Sequence, residues 1–455
     1  MLGEFLAGYP LWVGLSLQFL VVLGSIFVGV RLGAIGIGYA GGIGVLILTL
    51  GFGLTPGNIP TDVILIIASV IAAISAMQVA GGMDYLIYIA EWILRKNPKY
   101  VNYVGPVIAY TLTLFAGTGH TAFSMIPVIV DVSKSANIKP SVPLSLAIIS
   151  SQVAITASPI SAAVIYMTGI LEPLGMDYLT LLGLWILTTF SGCMITAFIM
   201  GIFSPLDLSK DKVYQERLAQ GLVHAVGESK CKTIPTSAKL SVLFFAIGVL
   251  CIVVYACAIS KNVAWIDPVI LPRDGAIMAF MLVVASCIVM FCKANPIKIP
   301  DTSVFKGGMV ACICVLGVAW LGDTFVQAHI DEIKTYASDI VMQRPYLLAI
   351  GLACGSMLLY SQAATAKALM PAVLAALGIS VGHTENLYIV VASFAAAGAL
   401  FILPTYPTLL GAVQMDDTGT TRIGKLVFNH SFMIPGVLAI GISVALGFIL
   451  APMVL

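Results

Sequence analysis

The sequence predicts an all-α membrane protein: an inverted-repeat secondary transporter with five membrane segments per repeat, re-entrant hairpins and broken helices. Three observations carry that expectation. The 455 residues are 60% hydrophobic and only 9% charged, with a mean hydropathy of +1.05. A soluble domain carries about 25% charged residues, and a membrane span needs roughly 20 apolar ones, so there is room for ten or more spans. Next, GTGHTAFSMIP (Gly117–Pro127) and SQAATAKALMP (Ser361–Pro371) align without a gap, sharing Thr121/Thr365 and Ala122/Ala366, and each is followed by a proline break, at Pro159 and at Pro404 and Pro407. Lastly, the basic residues are distributed in a way that makes the second half run opposite to the first.

Taken in order, Leu11–Val30 reads as a first span followed at once by Arg31; Glu4 and the lack of Lys or Arg before it argue against a cleaved signal. Gly33–Phe52 is a glycine-rich second span and Val63–Ala80 a third. Met83–Lys96 is amphipathic, with Glu91 and Arg95 four apart, as expected of a helix lying in the interface. Val101–Val132 is apolar but interrupted at Gly117, and the basic residues at both of its ends suit a hairpin that enters and leaves on one side. Val142–Ile170 is a span broken around Pro159, and Leu179–Phe203 closes a first repeat covering residues 1–203.

Residues 204–239 form the long polar segment, with Lys210, Lys212, Arg217, Lys230, Lys232 and Lys239 against Asp207, Asp211, Glu216 and Glu228; it reads as a cytoplasmic linker. The second repeat, 240–455, restates the order with spans at Leu240–Ile259, Gly275–Phe291 and Phe305–Leu321 and an amphipathic stretch at Thr324–Val341. The hairpin around Ser361, the break at Pro404 and a last span near Phe432–Met453 follow. Placing Arg31, Arg95–Lys99 with Lys134 and Lys139, the linker, Lys293 and Lys298, and Arg422 with Lys425 all in the cytoplasm requires opposite orientations for the two halves. Both termini, and the stretch bearing Asp331, Glu332 and Asp339, then lie outside. Inversion of this kind belongs to secondary transporters.

The chemistry expected of such a frame is anion binding. Broken helices place half-helix N-termini, each worth about half a positive charge with free N–H donors, at mid-membrane. Hydroxyls add donors that exchange readily with water. The candidates are Thr118, Gly119, His120 and Thr121 with Ser158 and Ser161 in the first half, and Ser361, Gln362, Thr365 and Lys367 with Thr405 and Thr408 in the second; Ser151, Gln152 and Thr156 support them. Hydroxyls in membrane helices also bond to their own carbonyls, and a lysine near a helix end can snorkel to the interface, so each candidate has a structural reading beside the functional one. Asp131 beside Lys134 reads as an interfacial pair.

Other functions find less support. The net charge of +1 and the lack of a basic stripe give no reason to expect nucleic acid, and the nine cysteines show no CxxC spacing for a metal or disulfide framework. Gly36–Gly41 matches a dinucleotide fingerprint but lies in a membrane span, where close helix packing explains it; Gly419–Lys425 resembles a phosphate loop but is followed by Leu426 where Ser or Thr is required. Paired aspartates, a Ser–His pair or HExxH, as an intramembrane protease needs, are lacking from the apolar segments. A cation/proton antiporter needs an acidic residue at its helix breaks, and none stands at TASPIS, PTYPT or either hairpin tip. A channel would need a continuous polar face.

The motifs LRKNPKYV, FAGTGH, TASPISAAV, GVAWLGDTFV, LLYSQAATAKALMP, FILPTYPTL, DDTGTTRIGK and FNHSFMIPG resemble the anaerobic C4-dicarboxylate transporters of the Dcu family, closest to the DcuA-like branch, from about Arg31 to the C-terminus. The resemblance implies exchange of fumarate, malate or aspartate for succinate across the bacterial inner membrane. It also implies a distant similarity to the ion-transporter superfamily, whose homodimers move a transport domain past a scaffold. No cofactor is expected, although sodium coupling stays open because the tips offer Thr and Gln oxygens; a sodium- or proton-coupled dicarboxylate symporter is the alternative. Where the DcuB-like branch carries an acidic residue after its TYP break, Thr408 and Leu409 stand here, which leaves any sensor-partner role of such relatives without its residue.

Overall fold

The computed structural model describes residues 11–32, 34–59, 61–224, 234–260, 263–332, 343–359, 361–404, 406–424 and 428–455. Every regular element among them is helical. Eight of the helices are long and apolar enough to cross a membrane, which makes this a multi-pass membrane protein.

The first half runs through α1 (Leu11–Leu32), α2 (Ala34–Leu46, ending in a π turn), α3 (Thr61–Val79), the amphipathic α4 (Gly82–Lys96), α5 (Val101–Ala116), α6 (Ala122–Ser135), α7 (Ser141–Ala154), α8 (Ala162–Leu171) and α9 (Tyr178–Phe203). A short helix α10 (Lys212–Ala219) lies in the polar segment. The second half runs through α11 (Thr236–Ala258), α12 (Arg273–Phe291), α13 (Ser303–Cys314), α14 (Trp320–Ala328), α15 (Leu347–Leu359), α16 (Gln362–Ala376), α17 (Leu387–Ser393), α18 (Pro407–Met415) and α19 (Met433–Val454).

Three elements differ from the sequence reading. The first hairpin turn is confined to Gly117–Thr121, and both Pro127 and Pro371 fall inside helices, α6 and α16, where they interrupt nothing. Pro407 does not break a helix but opens α18, where its fixed φ suits the first position and its missing N–H costs no bond. The span expected to end at Leu321 continues through a π turn at Val315–Ala319 into α14 as far as Ala328. The second half of the expected acidic stretch, including Asp339, lies outside the described residues, as do Glu4 and Lys230.

Burial separates a centre from a rim. The broken helix Ser141–Leu174 is 83% buried, whereas the window in α1 is only 28% buried. The outer spans therefore expose Leu20, Phe27, Leu187, Phe198, Leu250, Leu282 and Ile449, which water would not tolerate and hydrocarbon would. α2 meets the π turn after α13 backbone to backbone: a Cβ on Gly38 would run into Ile313, and one on Gly317 into Gly38 itself. That close approach is what the glycine spacing in α2 serves.

The polar segment docks onto the loop after α18. Arg217 Nε donates to the Asp417 carbonyl at 2.9 Å, the His224 amide donates to the Asp417 carboxylate at 2.8 Å, and Lys134 from the end of α6 reaches the same carboxylate at 3.0 Å. Lys134 also lies 3.3 Å from Asp131, so the pair read from sequence is one edge of a larger cluster. Asp416 beside it is buried, accepting bonds from the Thr418 and Thr421 amides and the Thr420 hydroxyl.

Candidate functional site

Two tips and two helix breaks meet at the centre. α5 ends on Gly117, whose φ of +66° is the left-handed region that favours glycine and whose N–H caps the Thr113 carbonyl at 2.8 Å. The tip then packs on the first break: a Cβ on Gly117 would sit 2.9 Å from Ile160. After one 3₁₀ turn at Gly119–Thr121 the chain re-enters as α6. In the second half α15 stops at Leu359, and the Ser361 hydroxyl accepts the Ala364 N–H at 3.2 Å to start α16.

The first break forms where α7 tightens into a 3₁₀ turn at Ile155–Ala157 and turns extended at Ser158. Ser161 ties its two halves together, donating to the Ile155 carbonyl at 2.7 Å and accepting from the Val164 N–H at 3.2 Å as the N-cap of α8. Ser158 donates to the Leu114 carbonyl at 2.6 Å and so fastens the break to the hairpin. The second break runs from a 3₁₀ turn at Phe394–Gly398 through Pro404 to Tyr406. The breaks touch: a Cβ on Gly398 would lie 3.3 Å from the Val153 Cα.

A cavity of about 110 Å³ opens between these parts, several times the ~10–15 Å³ that one water needs. Gly117, Thr118 and Gly119 line it from the first tip, Ser361, Gln362 and Ala363 from the second, with Ala162 and Ala163 at the start of α8 and Tyr406 before α18. Ile66, Ile67, Val70 and Ile71 of α3, with Cys314 and Val315, form an apolar wall. The first residues of α8 and α16, Ala162 with Ala163 and Gln362 with Ala363, therefore border one space, so that two helices begin at it; the Val164 and Ala364 N–H groups are already taken by Ser161 and Ser361. Such a space suits a small anion with polar groups at opposite ends.

Of the residues singled out from sequence, Thr118, Gly119, Ser361 and Gln362 come together on this cavity. The other described ones are not among its lining residues. Thr121 bonds the Thr113 hydroxyl at 3.0 Å, and Thr113 bonds Ser151 at 2.7 Å. Thr156 and Thr365 return their hydroxyls to the carbonyls of Val153 and Ser361, both at 2.8 Å. Ser158 and Ser161 spend theirs as above. Gln152 is a strut between the halves: its Nε2 donates to the Thr408 hydroxyl at 3.3 Å, and its carbonyl accepts from Gln362 Nε2 at 3.2 Å. Pro159 and Pro404 sit within the breaks. The Lys367 ammonium pairs with Asp62 at the start of α3. His120 belongs to the 3₁₀ turn by its backbone, its side chain and all of Thr405 lying outside the described residues.

Sequence reasoning missed Tyr406, Asp62 and the wall of α3. Tyr406 could have been found, standing between the two prolines of the second break; the isoleucines of α3 carry no signal that tells a cavity wall from any other span. Among the described residues no cluster of three or more His, Cys, Asp or Glu side chains is placed to hold a metal ion.

Fold and cavity define a class: a multi-pass helical membrane protein with a central space between two hairpin tips, mainly apolar in its walls and bearing Thr118, Ser361, Gln362 and Tyr406. The chain belongs to the anaerobic C4-dicarboxylate membrane transporter family, whose profile matches residues 14–455, and it is a transporter rather than an enzyme. It is 64% identical to the C4-dicarboxylate transporter DcuA of Helicobacter pylori strain J99 over 438 residues, 96% of this chain and 99% of that one. Against the Escherichia coli K12 DcuA identity is 50% over 441 residues, 97% and 100% of the two chains. The anaerobic C4-dicarboxylate transporter DcuB of Escherichia coli O6:H1 is more distant, at 36% over 451 residues, 96% and 98% of the two chains.

Proposed function

We propose that this protein exchanges C4-dicarboxylates across the bacterial inner membrane, taking fumarate, malate or aspartate against succinate by alternating access. The observation that carries the reading is the single cavity onto which both hairpin tips and the N-terminal turns of α8 and α16 converge. A dicarboxylate needs two anion sites facing one another, and neither can be a permanent ion pair if the substrate is to leave. Helix ends with the Thr118 and Ser361 hydroxyls and the Gln362 amide meet both demands. The names of the relatives, as C4-dicarboxylate transporters, support the substrate class.

The reading extends to topology. The halves form inverted repeats, the polar segment bearing α10 is cytoplasmic, and both ends of the chain and Asp331 face the periplasm. The protein works as a homodimer, with α7, α8 and the two hairpins moving against the outer spans.

Counterflow of labelled succinate into proteoliposomes loaded with fumarate tests exchange, with and without a sodium gradient. Uptake that requires internal dicarboxylate and ignores sodium is expected. Accumulation in empty vesicles driven by sodium would replace exchange with coupled uptake. Single cysteines at Asp331 and Lys212, in a chain otherwise free of thiols, test the orientation: an impermeant reagent applied to intact cells should reach the first and not the second.

A further inference from the structure

One helical turn beyond the cavity, three helices carry polar side chains in register. On α3 Asp62 precedes the lining residue Ile66 by four; on α8 Tyr166 follows Ala162 by four; on α16 Lys367 follows Ala363 by four. Residues four apart share a helix face and lie about 6 Å apart along the axis. Asp62, Tyr166 and Lys367 therefore lie one turn beyond the lining residues, on the side of the cavity toward the N-terminal end of α3. Tyr166 lies within electrostatic reach of Asp62 and of Asp323, whose carboxylate accepts the Asn58 N–H at 2.6 Å.

Lys367 and Asp62 form an ion pair there, with side chains 20% and 44% exposed. The pair joins the second hairpin to a helix of the first half. Its partial exposure makes it weak, since water competes for both charges. An ammonium held by a carboxylate at the mouth of a space suited to carboxylates is already making the contact that a substrate would make.

We propose that Lys367 and Asp62 form a gate at the outer mouth of the cavity, in which Asp62 stands in for a substrate carboxylate until an arriving dicarboxylate displaces it. The inference rests on the dicarboxylate reading above and on the orientation proposed with it, which puts the N-terminal end of α3 outside and which the cysteines at Asp331 and Lys212 test separately. A four-carbon diacid that takes Lys367 with one carboxylate keeps the other free to reach inward toward the tips, whereas a monoanion satisfies only the gate. Asp62 is here a positioning residue, acting on transport through Lys367.

Cys314 lines the cavity and reports the gate without any transport assay. In a chain whose only cysteine is Cys314, an impermeant maleimide applied from outside should react about three- to five-fold faster in Asp62→Asn and in Lys367→Met than in the parent, a shift that a weak pair can hold. The exchanged pair Asp62→Lys/Lys367→Asp should return the parent rate, which also checks that the variants fold. In counterflow, Asp62→Asn should lower the KM for external succinate because it removes the competitor. Lys367→Met and the exchanged pair should both raise it, because the cation is gone from α16. Unchanged Cys314 labelling in both single variants would overturn the gate whatever transport does. An exchanged pair with parental KM would reduce the contact to a structural tie and overturn the competition. Failure of the dicarboxylate reading shows elsewhere, as a wild-type protein that performs no counterflow.

Discussion

The two hairpin-and-break units follow the same order of elements and are fastened differently. In the first, hydroxyls tie the break to itself and to its own hairpin: Ser158 to Leu114, Ser161 to Ile155 and Val164, Thr113 to Thr121 and Ser151. The second also has local bonds, at Ser361, Thr365 and Ser356, but adds three contacts that end in the first half. Gln362 reaches the Gln152 carbonyl, Gln152 reaches back to Thr408, and Lys367 reaches Asp62. The two units thus brace each other through Gln152, and the second is tied as well to α3, outside both, by Lys367. Positions that align in sequence, such as Thr121 and Thr365, need not do matched work.

The largest expected effect tests the first tip. Gly117→Val forces a β-branched residue to φ +66° and drives its Cβ into Ile160, a strain of about 1–3 kcal/mol before the clash is counted. Exchange should be lost and the thermal midpoint of purified protein should fall clearly more than in Ser361→Ala, where an N-cap worth about 0.5–2 kcal/mol goes. Equal losses would mean that both tips depend on their turns alike.

Thr118→Ala comes next. A hydroxyl bonded to a charged group contributes about 1.5–3 kcal/mol, so dicarboxylate affinity should weaken roughly ten- to a hundred-fold in counterflow while membrane insertion is kept. Near-normal KM would take the first tip out of the binding site. Gln152→Ala should cost less, about five- to ten-fold in exchange rate, since it removes one bond and leaves the buried Thr408 hydroxyl short of a donor. Unaltered exchange would show that the second unit does not need this strut. Thr365→Ala, at the position matching Thr121, should do least. Its hydroxyl already bonds the Ser361 carbonyl, so KM should stay within about two-fold of wild type. A loss as large as that of Thr118→Ala would make the two tips equivalent and dissolve the contrast.

Much of this was legible in the sequence because apolar length and proline position act locally. The spans, the amphipathic α4, both hairpins and both breaks follow from hydropathy and from residues that stop a helix. Thr118, Gly119, Ser361 and Gln362 were findable because a small polar tip inside an apolar run has few uses. Ser158 and Ser161 could not be sorted in advance. A serine beside a helix break serves equally as cap or ligand, and only the positions of the Leu114 and Ile155 carbonyls show which bonds these make. Asp62 was out of reach for another reason. It reads as an ordinary acidic residue in a first helical turn, and its partner lies 305 residues away.

The contact between Gly38 and Gly317 bears on how such a chain can drift. Any base change in a glycine codon that alters its meaning yields a larger residue or a stop, and here the space for the smallest of them, alanine, is filled by the opposing backbone. Neither position has a neutral neighbour in sequence space, and a change at one cannot be relieved by shrinking the other, which is already at the minimum. Compensation would have to come from separating two whole helices, a movement no single mutation supplies. This crossing should accordingly be among the last parts of the molecule to accept variation, although it touches no substrate.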